Sequence, residues 1–465
     1  MHLPTEYQKR MQSLLGEDYP AYLAAMDAPA SRALHVNLTK LTAEQLQSLL
    51  GEELAPIPYA EDGFYLDAAS KLGKHPLHHA GAYYIQDPSA MAPVACASVR
   101  EGMYVLDLCA SPGGKSTQLA NRIGKSGLLV SNEIVTSRAV TLAGNGERMG
   151  LSNMVVTNTD APTLATLYPT FFDLVLVDAP CSGEGMFRKY PEAVGEWTSA
   201  GVRACAHRQR ELLEDAYRTL KAGGELVYST CTFSEEENEG VLTDFLSQHP
   251  DATLLPVPEA IRQVTADGIP PVGTDPALAR AIRDCARRFY PHLARGEGQF
   301  MARLQKGGVS SDRAEKPPKK QTDALPPLPR EEKAVWDAFV RETFVQDAHL
   351  PAPVSFKGSI CLPTHGAPIY PKYTYACGVR AGKVEKGRCI PDHWLAMAHG
   401  HSFKRQLHLT ETDPRLAAYL RGETFPCDLP DGWGAVLHGG CALGLIKVTG
   451  GIAKNHYPKG LRVRG

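Results

Sequence analysis

Two cysteines stand where a thiol can react. In Asp178-Ala-Pro-Cys181 a short apolar run, Leu174 to Val177, stops at an acid, a rigid Ala-Pro and a thiol. A glycine-rich turn, Ser182 to Gly185, follows at once. Ser229-Thr-Cys231-Thr-Phe233 closes a second apolar run and again carries a thiol. The thiolate is the nucleophilic form, and a free thiol ionises near about pH 8.5 unless local charge or a helix N-terminus lowers that value. A helix starting near Ser234 would do so for Cys231. One chemistry that would use such groups is methyl transfer to cytosine. The cytosine ring is electron-poor, and its carbon 5 accepts a methyl group only after a thiolate has added to carbon 6. An acid near ring nitrogen 3 then stabilises the adduct, and a base removes the proton at carbon 5. Asp178, Cys181 and Cys231 supply those types. Read alone, Cys181 has the look of the nucleophile.

The groups need a scaffold that brings two strand ends together, and the chain from Gly102 onward alternates as one. Tyr104 to Leu108 reads as a strand, C-A-S-P-G-G-K follows it, and a helix runs to about Ile123. Gly127 to Asn132 is a second strand ending at Glu133, and Ser137 to Met149 a helix. Met154 to Thr157 is a third strand with Asp160 just beyond. Phe172 to Val177 is the fourth, Trp197 to Leu220 a long helix, Gly224 to Ser229 the fifth strand, and Glu235 to Gln248 its helix. Such alternation predicts a mostly parallel sheet covered by helices, with ligands at the carboxyl ends of the strands.

The loop Cys109, Ala110, Ser111, Pro112, Gly113, Gly114, Lys115 fits neither G-x-G-x-x-G nor a Walker A motif, which disfavours a dehydrogenase or an NTPase. Glycines ahead of a helix allow backbone N–H groups close to an anion. Glu133 is placed as the acid that takes ribose hydroxyls, and Asp160 within reach of an adenine edge. Each acid taken singly is an ordinary loop acid. With the loop they describe an adenosine cofactor bearing a carboxylate, and S-adenosylmethionine fits.

Composition sets outer bounds. The 465 residues are 43% apolar and 22% charged, too many for one ordinary core and typical of a globular chain. No apolar run is long enough to span a membrane, and the polar start Met1 to Arg10 lacks a secretory pattern, so no membrane association and a cytoplasmic location are expected. The 11 cysteines include no C-x-x-C pair, so no metal site is expected. Those other than Cys109, Cys181 and Cys231 read as small core or surface residues. Net charge is −2, but Glu331 to Gly465 carries 17 Lys/Arg against 12 Asp/Glu, closing on Lys454, His456, Lys459, Arg462 and Arg464. That distribution suggests a surface facing a polyanion. Lys306 to Arg330, rich in Pro, Lys, Ser and Asp, reads as a linker. In the N-terminal part, Leu3 to Leu15 and Thr42 to Leu50 have helical spacing and Ala33 to Leu38 alternates as a strand. Tyr83, Tyr84 and Gln86 read as core more readily than as a nucleotide-facing surface.

The motifs V-L-D-L-C-A-S-P-G-G-K, D-A-P-C-S-G-E-G and S-T-C-T-F resemble those of the Nol/Nop/Sun family of RNA cytosine-5 methyltransferases. R-A-L-H-V-N-L-T-K (Arg32 to Lys40), Y-Y-I-Q-D-P-S-A, F-Y-P-H-L-A-R-G-E-G and K-N-H-Y-P-K-G-L-R are similar to its bacterial RsmF branch. His35 stands where the family usually has Arg, and Ser111 where Ala is commoner. The resemblance implies a Rossmann-like class I methyltransferase over 96–305. It also implies a small α+β N-terminal domain over 1–95, a linker over 306–330 and a C-terminal PUA-like RNA-binding region over 331–465. It further implies that Cys231 is the nucleophile, that Cys181 assists proton removal and release, and that Cys109 to Lys115, Glu133, Asp160 and Asp178 bind S-adenosylmethionine. The implied substrate is structured RNA, 16S ribosomal RNA or the small ribosomal subunit. Transfer RNA, and a non-catalytic assembly factor on the same scaffold, are the competing readings. A DNA cytosine methyltransferase would instead attack through Cys181.

Overall fold

A computed structural model describes residues 3–308, 325–366 and 368–463. Most of the expected linker, residues 309–324, and Arg464 lie outside them. No described helix is long and apolar enough to cross a membrane.

The ten-stranded central sheet includes β1 (Tyr104–Asp107), β2 (Leu128–Asn132), β3 (Met154–Thr157), β4 (Phe172–Asp178), β5 (Leu220–Thr230), β6 (Arg287–Phe289), β7 (Gln299–Gln305) and β8 (Thr374–Cys377). Its helices are α1 (Gly114–Ile123), α2 (Thr136–Met149), α3 (Ala161–Leu167), α4 (Ser199–Thr219) and α5 (Glu239–Gln248). Across the sheet the order is β6–β7–β5–β4–β1–β2–β3–β8. The five strands β5, β4, β1, β2 and β3 run parallel, as the strand–helix alternation predicts, whereas β7 and β8 run antiparallel to their neighbours. Leu174, Val175, Leu176 and Val177 are fully or almost fully buried, the pattern of a strand covered on both faces. Strand order reverses between β1 and β4, and a ligand crevice belongs at that point.

Two boundaries differ from the sequence reading by more than two residues. Strand β5 begins at Leu220, directly after α4, and runs on to Thr230. Helix α5 begins at Glu239, not Glu235, because Asn238 takes a non-helical conformation (φ −99°, ψ −95°) and the residues before it form a separate turn. The helix N-terminus expected beside Cys231 near Ser234 is therefore not there.

The N-terminal residues form two helices, Thr5–Leu15 and Tyr19–Asp27, and a four-stranded sheet in which Arg32–Val36 pairs with Ala60–Leu66 and Tyr83–Gln86. Thr42 caps the helix Ala43–Leu50 through a reciprocal box with Gln45. His35 is fully buried, 3.1 Å from the Thr117 hydroxyl and stacked on Tyr84, so it is packing rather than a surface contact. Tyr83 and Tyr84 are core as well. Residues 325–463 carry a four-stranded sheet and a five-stranded one. Between the strands Ser359–Leu362 and Val379–Glu385 of the four-stranded sheet, the chain leaves as β8 to pair with β3.

Candidate active site

Register explains why the two cysteines meet. In the parallel pair β4–β5, Asp178 is opposite Ser229. Cys181 lies three residues past the first and Cys231 two past the second, so both turns leave the same sheet edge side by side. The sulfurs are 3.2 Å apart, and both thiols are free. Cys181 is pushed well up by the Cys231 thiol alongside it and by burial.

Asp178 is the hub between the thiols and the glycine loop. Its Oδ2 accepts from Lys115 Nζ at 2.7 Å, and its Oδ1 accepts from Ser229 Oγ at 2.7 Å and Gln299 Nε2 at 3.0 Å. Burial opposes the charge on Lys115, but Asp178, with Cys231 and Asp107 behind it, outweighs burial, and the ammonium is raised overall. Gln299 arrives from β7, whose antiparallel course starts beside the end of β5. Nothing in its sequence context marks it.

Behind the thiols the backbone is packed without slack. Gly185 N–H donates to the Cys231 carbonyl at 2.8 Å, and a Cβ at Gly185 would stand 2.9 Å from that oxygen and 3.0 Å from the Gly298 carbonyl. Glu184, buried, accepts from the Trp197 indole at 2.9 Å and from Phe233 N–H at 3.0 Å. Ser182 and Thr232 hydroxyls, one from each turn, are 2.8 Å apart. Glu237, also buried, is pushed up to about 7 by burial, against the hydrogen bonds from Ser182 that favour its ionised form. Glu237 was hidden from sequence reading inside the run S-E-E-E-N-E, which has the composition of a solvated helix start.

The residues expected from the sequence to face a cofactor lie at the neighbouring strand ends. Gly113 has φ +113°, where a side chain would be strained, and its missing Cβ would press Leu142 at 3.0 Å. Gly114 opens the ten-residue α1, where a Cβ would stand 2.6 Å from Gln86 Oε1 and require that side chain to move. Burial pushes the Cys109 thiol far up, which favours its protonated form. Ser111 and Pro112 carbonyls accept from Arg138 and Asn145 of α2, and Ala110 N–H donates to the Asn132 carbonyl. Glu133 is almost wholly buried at the end of β2, accepting from Val135 N–H at 2.9 Å with Arg138 at 3.4 Å. Asp160 is exposed and caps α3 through Thr163 N–H at 2.8 Å, a bond that lowers its pKa. Asp107, which ends β1, was missed by sequence reading. It is buried and accepts from Ser116 Oγ at 2.6 Å, while its Oδ1 has no protein partner. A cleft of about 1300 Å³ is lined by residues that include Gly124, Lys125 and Gly150 to Asn153. These residues precede β2 and β3, so that cleft opens at the opposite, amino-end edge from the thiols.

Comparisons with known proteins agree along the whole chain. A family described as 16S rRNA methyltransferase RsmB/F matches residues 94–305, the N-terminal domain of 16S rRNA methyltransferase RsmF matches 3–88, and the methyltransferase RsmF PUA domain matches 406–463. Ribosomal RNA small subunit methyltransferase F of Enterobacter sp. (strain 638) is 31% identical over 480 residues, 98% of this chain and 95% of the relative. The protein of the same name from Pectobacterium carotovorum is 34% identical over 340 residues, 71% of this chain and 65% of its own length. Among solved structures, a methyltransferase homolog from Pyrococcus horikoshii superposes with a TM-score of 0.56 at 30% identity, covering 64% of this chain and 93% of the other. NSun6 from the same organism, solved with SFG, gives 0.57 at 22% identity over 66% and 99% of the two chains, which shows a shared fold.

Proposed function

The chain belongs to the RsmB/F family of 16S rRNA methyltransferases, and from that premise we propose that it methylates carbon 5 of a cytidine in 16S ribosomal RNA through a covalent thiol adduct. The observation that carries this reading is the pair of free thiols 3.2 Å apart at the ends of β4 and β5, next to Asp178.

S-adenosylmethionine is the cofactor that the residues suit. The Cys109 to Lys115 loop at the N-terminus of α1, the buried Glu133, Asp160 and Asp178 would hold it, and the orphaned Oδ1 of Asp107 marks an unmet polar need in the same crevice. When bound it supplies an electrophilic methyl group. The remaining work falls to the chain. The target base must leave its stack to reach a pocket at a strand end. The Cys231 sulfur forms a bond to carbon 6, and the ring's electron pair moves toward nitrogen 3, where the Lys115–Asp178 pair meets the charge. Carbon 5 thereby becomes enamine-like and takes the methyl group. Cys181 then assists removal of the carbon 5 proton. The electrons of that C–H bond restore the ring double bond, and the carbon 6–sulfur bond breaks with its pair returning to Cys231. The C-terminal PUA domain is suited to hold the RNA backbone while this happens.

The test is nucleoside mass spectrometry and denaturing electrophoresis after incubation with 16S rRNA and S-adenosylmethionine. The wild-type chain is expected to form 5-methylcytidine. Cys231→Ala should abolish it. Cys181→Ala should leave RNA covalently attached through Cys231. Attachment through Cys181 in a Cys231→Ala protein would reverse the assignment, and methylation by Cys231→Ala would end the covalent mechanism.

A further inference from the structure

Each cysteine lies between two residues that are tied to one short turn, and the ties come from adjacent side chains. On one side, Glu237 Oε2 accepts from Ser182 N–H at 2.9 Å and from Gln209 Nε2 at 2.9 Å, and the same Gln209 nitrogen donates to the Pro180 carbonyl at 2.9 Å. The residues before and after Cys181 are thus both held by the Glu237–Gln209 couple. On the other side, Asn238 Oδ1 accepts from Thr230 Oγ1 at 2.6 Å, and Asn238 Nδ2 donates to the Thr232 carbonyl at 3.0 Å. The residues before and after Cys231 are both held by Asn238. Glu237 and Asn238 are fully buried and share a peptide bond. The Tyr228 hydroxyl donates to the Glu237 carbonyl and Asn238 N–H to the Ser234 carbonyl, so the turn itself is fixed.

A buried carboxyl is costly, and Glu237 keeps one oxygen without a partner, so a purely structural turn would be better served by an apolar side chain. The turn also delays α5 to Glu239. Both features make sense if the position of the thiols is what the turn delivers.

We propose that Glu237 and Asn238 are positioning residues that divide the two thiols between them, Glu237 with Gln209 placing Cys181 for release and Asn238 placing Cys231 for attack. The division rests on the covalent reading of the two cysteines given above. Its consequence is that neighbouring substitutions should stall opposite halves of one reaction.

The full chain is incubated with 16S rRNA transcript and methyl-labelled S-adenosylmethionine, and first-turnover label and gel-stable protein–RNA adduct are both read. Glu237→Ala is expected to transfer methyl in the first turnover within about threefold of wild type, yet to accumulate at least about tenfold more adduct. Glu237→Gln should release normally, since one amide oxygen can accept from both Ser182 and Gln209. Gln209→Ala reaches the same clamp from its other end, should trap RNA as well, and serves if Glu237→Ala does not fold. Asn238→Ala should lose at least about tenfold in first-turnover transfer with no adduct. The proposal is overturned if Glu237→Gln traps as much as Glu237→Ala, if neither Glu237→Ala nor Gln209→Ala traps RNA while Cys181→Ala does, or if the substitutions at 237 and 238 stall the same step. Failure of Cys181→Ala itself to trap RNA brings down the assignment of the thiols instead, so the two failures read differently.

Discussion

Burial raises several of the acids packed near the thiols, and one of them yields a prediction about stability. Burial pushes Asp107 up to about 7, opposed by the Ser116 hydrogen bond and reinforced by Asp178. In an unfolded chain the same group ionises near about pH 3.9. The native state therefore keeps a proton that the unfolded state gives up, and stability drains away as pH rises from about 4 to about 7, by up to about 4 kcal/mol. Asp107→Asn has no proton to lose. Chemical denaturation at pH 5 and pH 8 should show the variant gaining on wild type by about 2.5 kcal/mol between the two. Glu237 and Glu147, also pushed up to about 7, titrate in both proteins and cancel in the comparison. A pH-independent difference would mean that Asp107 does not titrate there. At this scale sequence reading is uneven for a physical reason. Cys181, Cys231 and Asp178 were legible as candidates that meet, because each stands where an apolar run gives way to a turn, and such strand ends gather at one edge of a parallel sheet. Lys115 was legible as a loop residue, but its ion pair with Asp178 was not, because spacing says nothing of where a four-carbon stem points. Gln299 was invisible, since an antiparallel strand delivers it from far along the chain.

At the scale of elements, the site depends on three backbone segments that cross with no side chain between them: the turn after β4, the end of β5 and the start of β7. Gly185 is the crossing point. A methyl group there would meet two backbone carbonyls, those of Cys231 and Gly298, and backbone cannot rotate out of the way as a flexible side chain can. Gly185→Ala should therefore displace the end of β5 and Cys231 with it. A shift of that kind should cost at least about tenfold in methyl transfer. Cofactor affinity, read by calorimetry, should change little, because the Cys109 to Lys115 loop belongs to β1 and α1. Wild-type turnover by Gly185→Ala would show that the crossing has slack. The parallel strands themselves were readable from alternation of apolar runs and helical spacing. The start of α5 was not, because S-E-E-E-N has good helical composition, and only the inward turn of Glu237 and Asn238 toward the thiols stops it from being helix.

At the scale of the molecule, the C-terminal residues do more than follow the catalytic sheet. They complete it. β8 adds to β3 in antiparallel register, with Cys377 opposite Val155 and Thr374 opposite Thr157. The Trp394 indole, buried, donates to the Leu151 carbonyl at 3.0 Å, Thr364 Oγ1 to the Ser152 carbonyl at 3.2 Å, and Tyr370 to the Leu167 carbonyl at 2.7 Å. Phe356, Ile369, Tyr370 and Cys377 belong to the same apolar cluster as Val155, Leu164 and Phe172. Sequence reading separated 331–465 from the catalytic region at a change in composition. It had no means to see the pairing, since T-Y-A-C carries no signal of which edge it will join. Without these residues β3 would become an open edge with its ladder groups unpaired, beside an uncovered apolar face, a combination that favours association. A chain ending at Gly308 should accordingly melt at least about 5 °C below the full chain and aggregate on heating, even though every residue proposed for chemistry is retained. Differential scanning calorimetry with light scattering measures both. If the shortened chain melts at the full-length temperature and stays monomeric, the contacts made by β8, Trp394 and Tyr370 add nothing to the catalytic sheet, and the C-terminal region serves RNA alone.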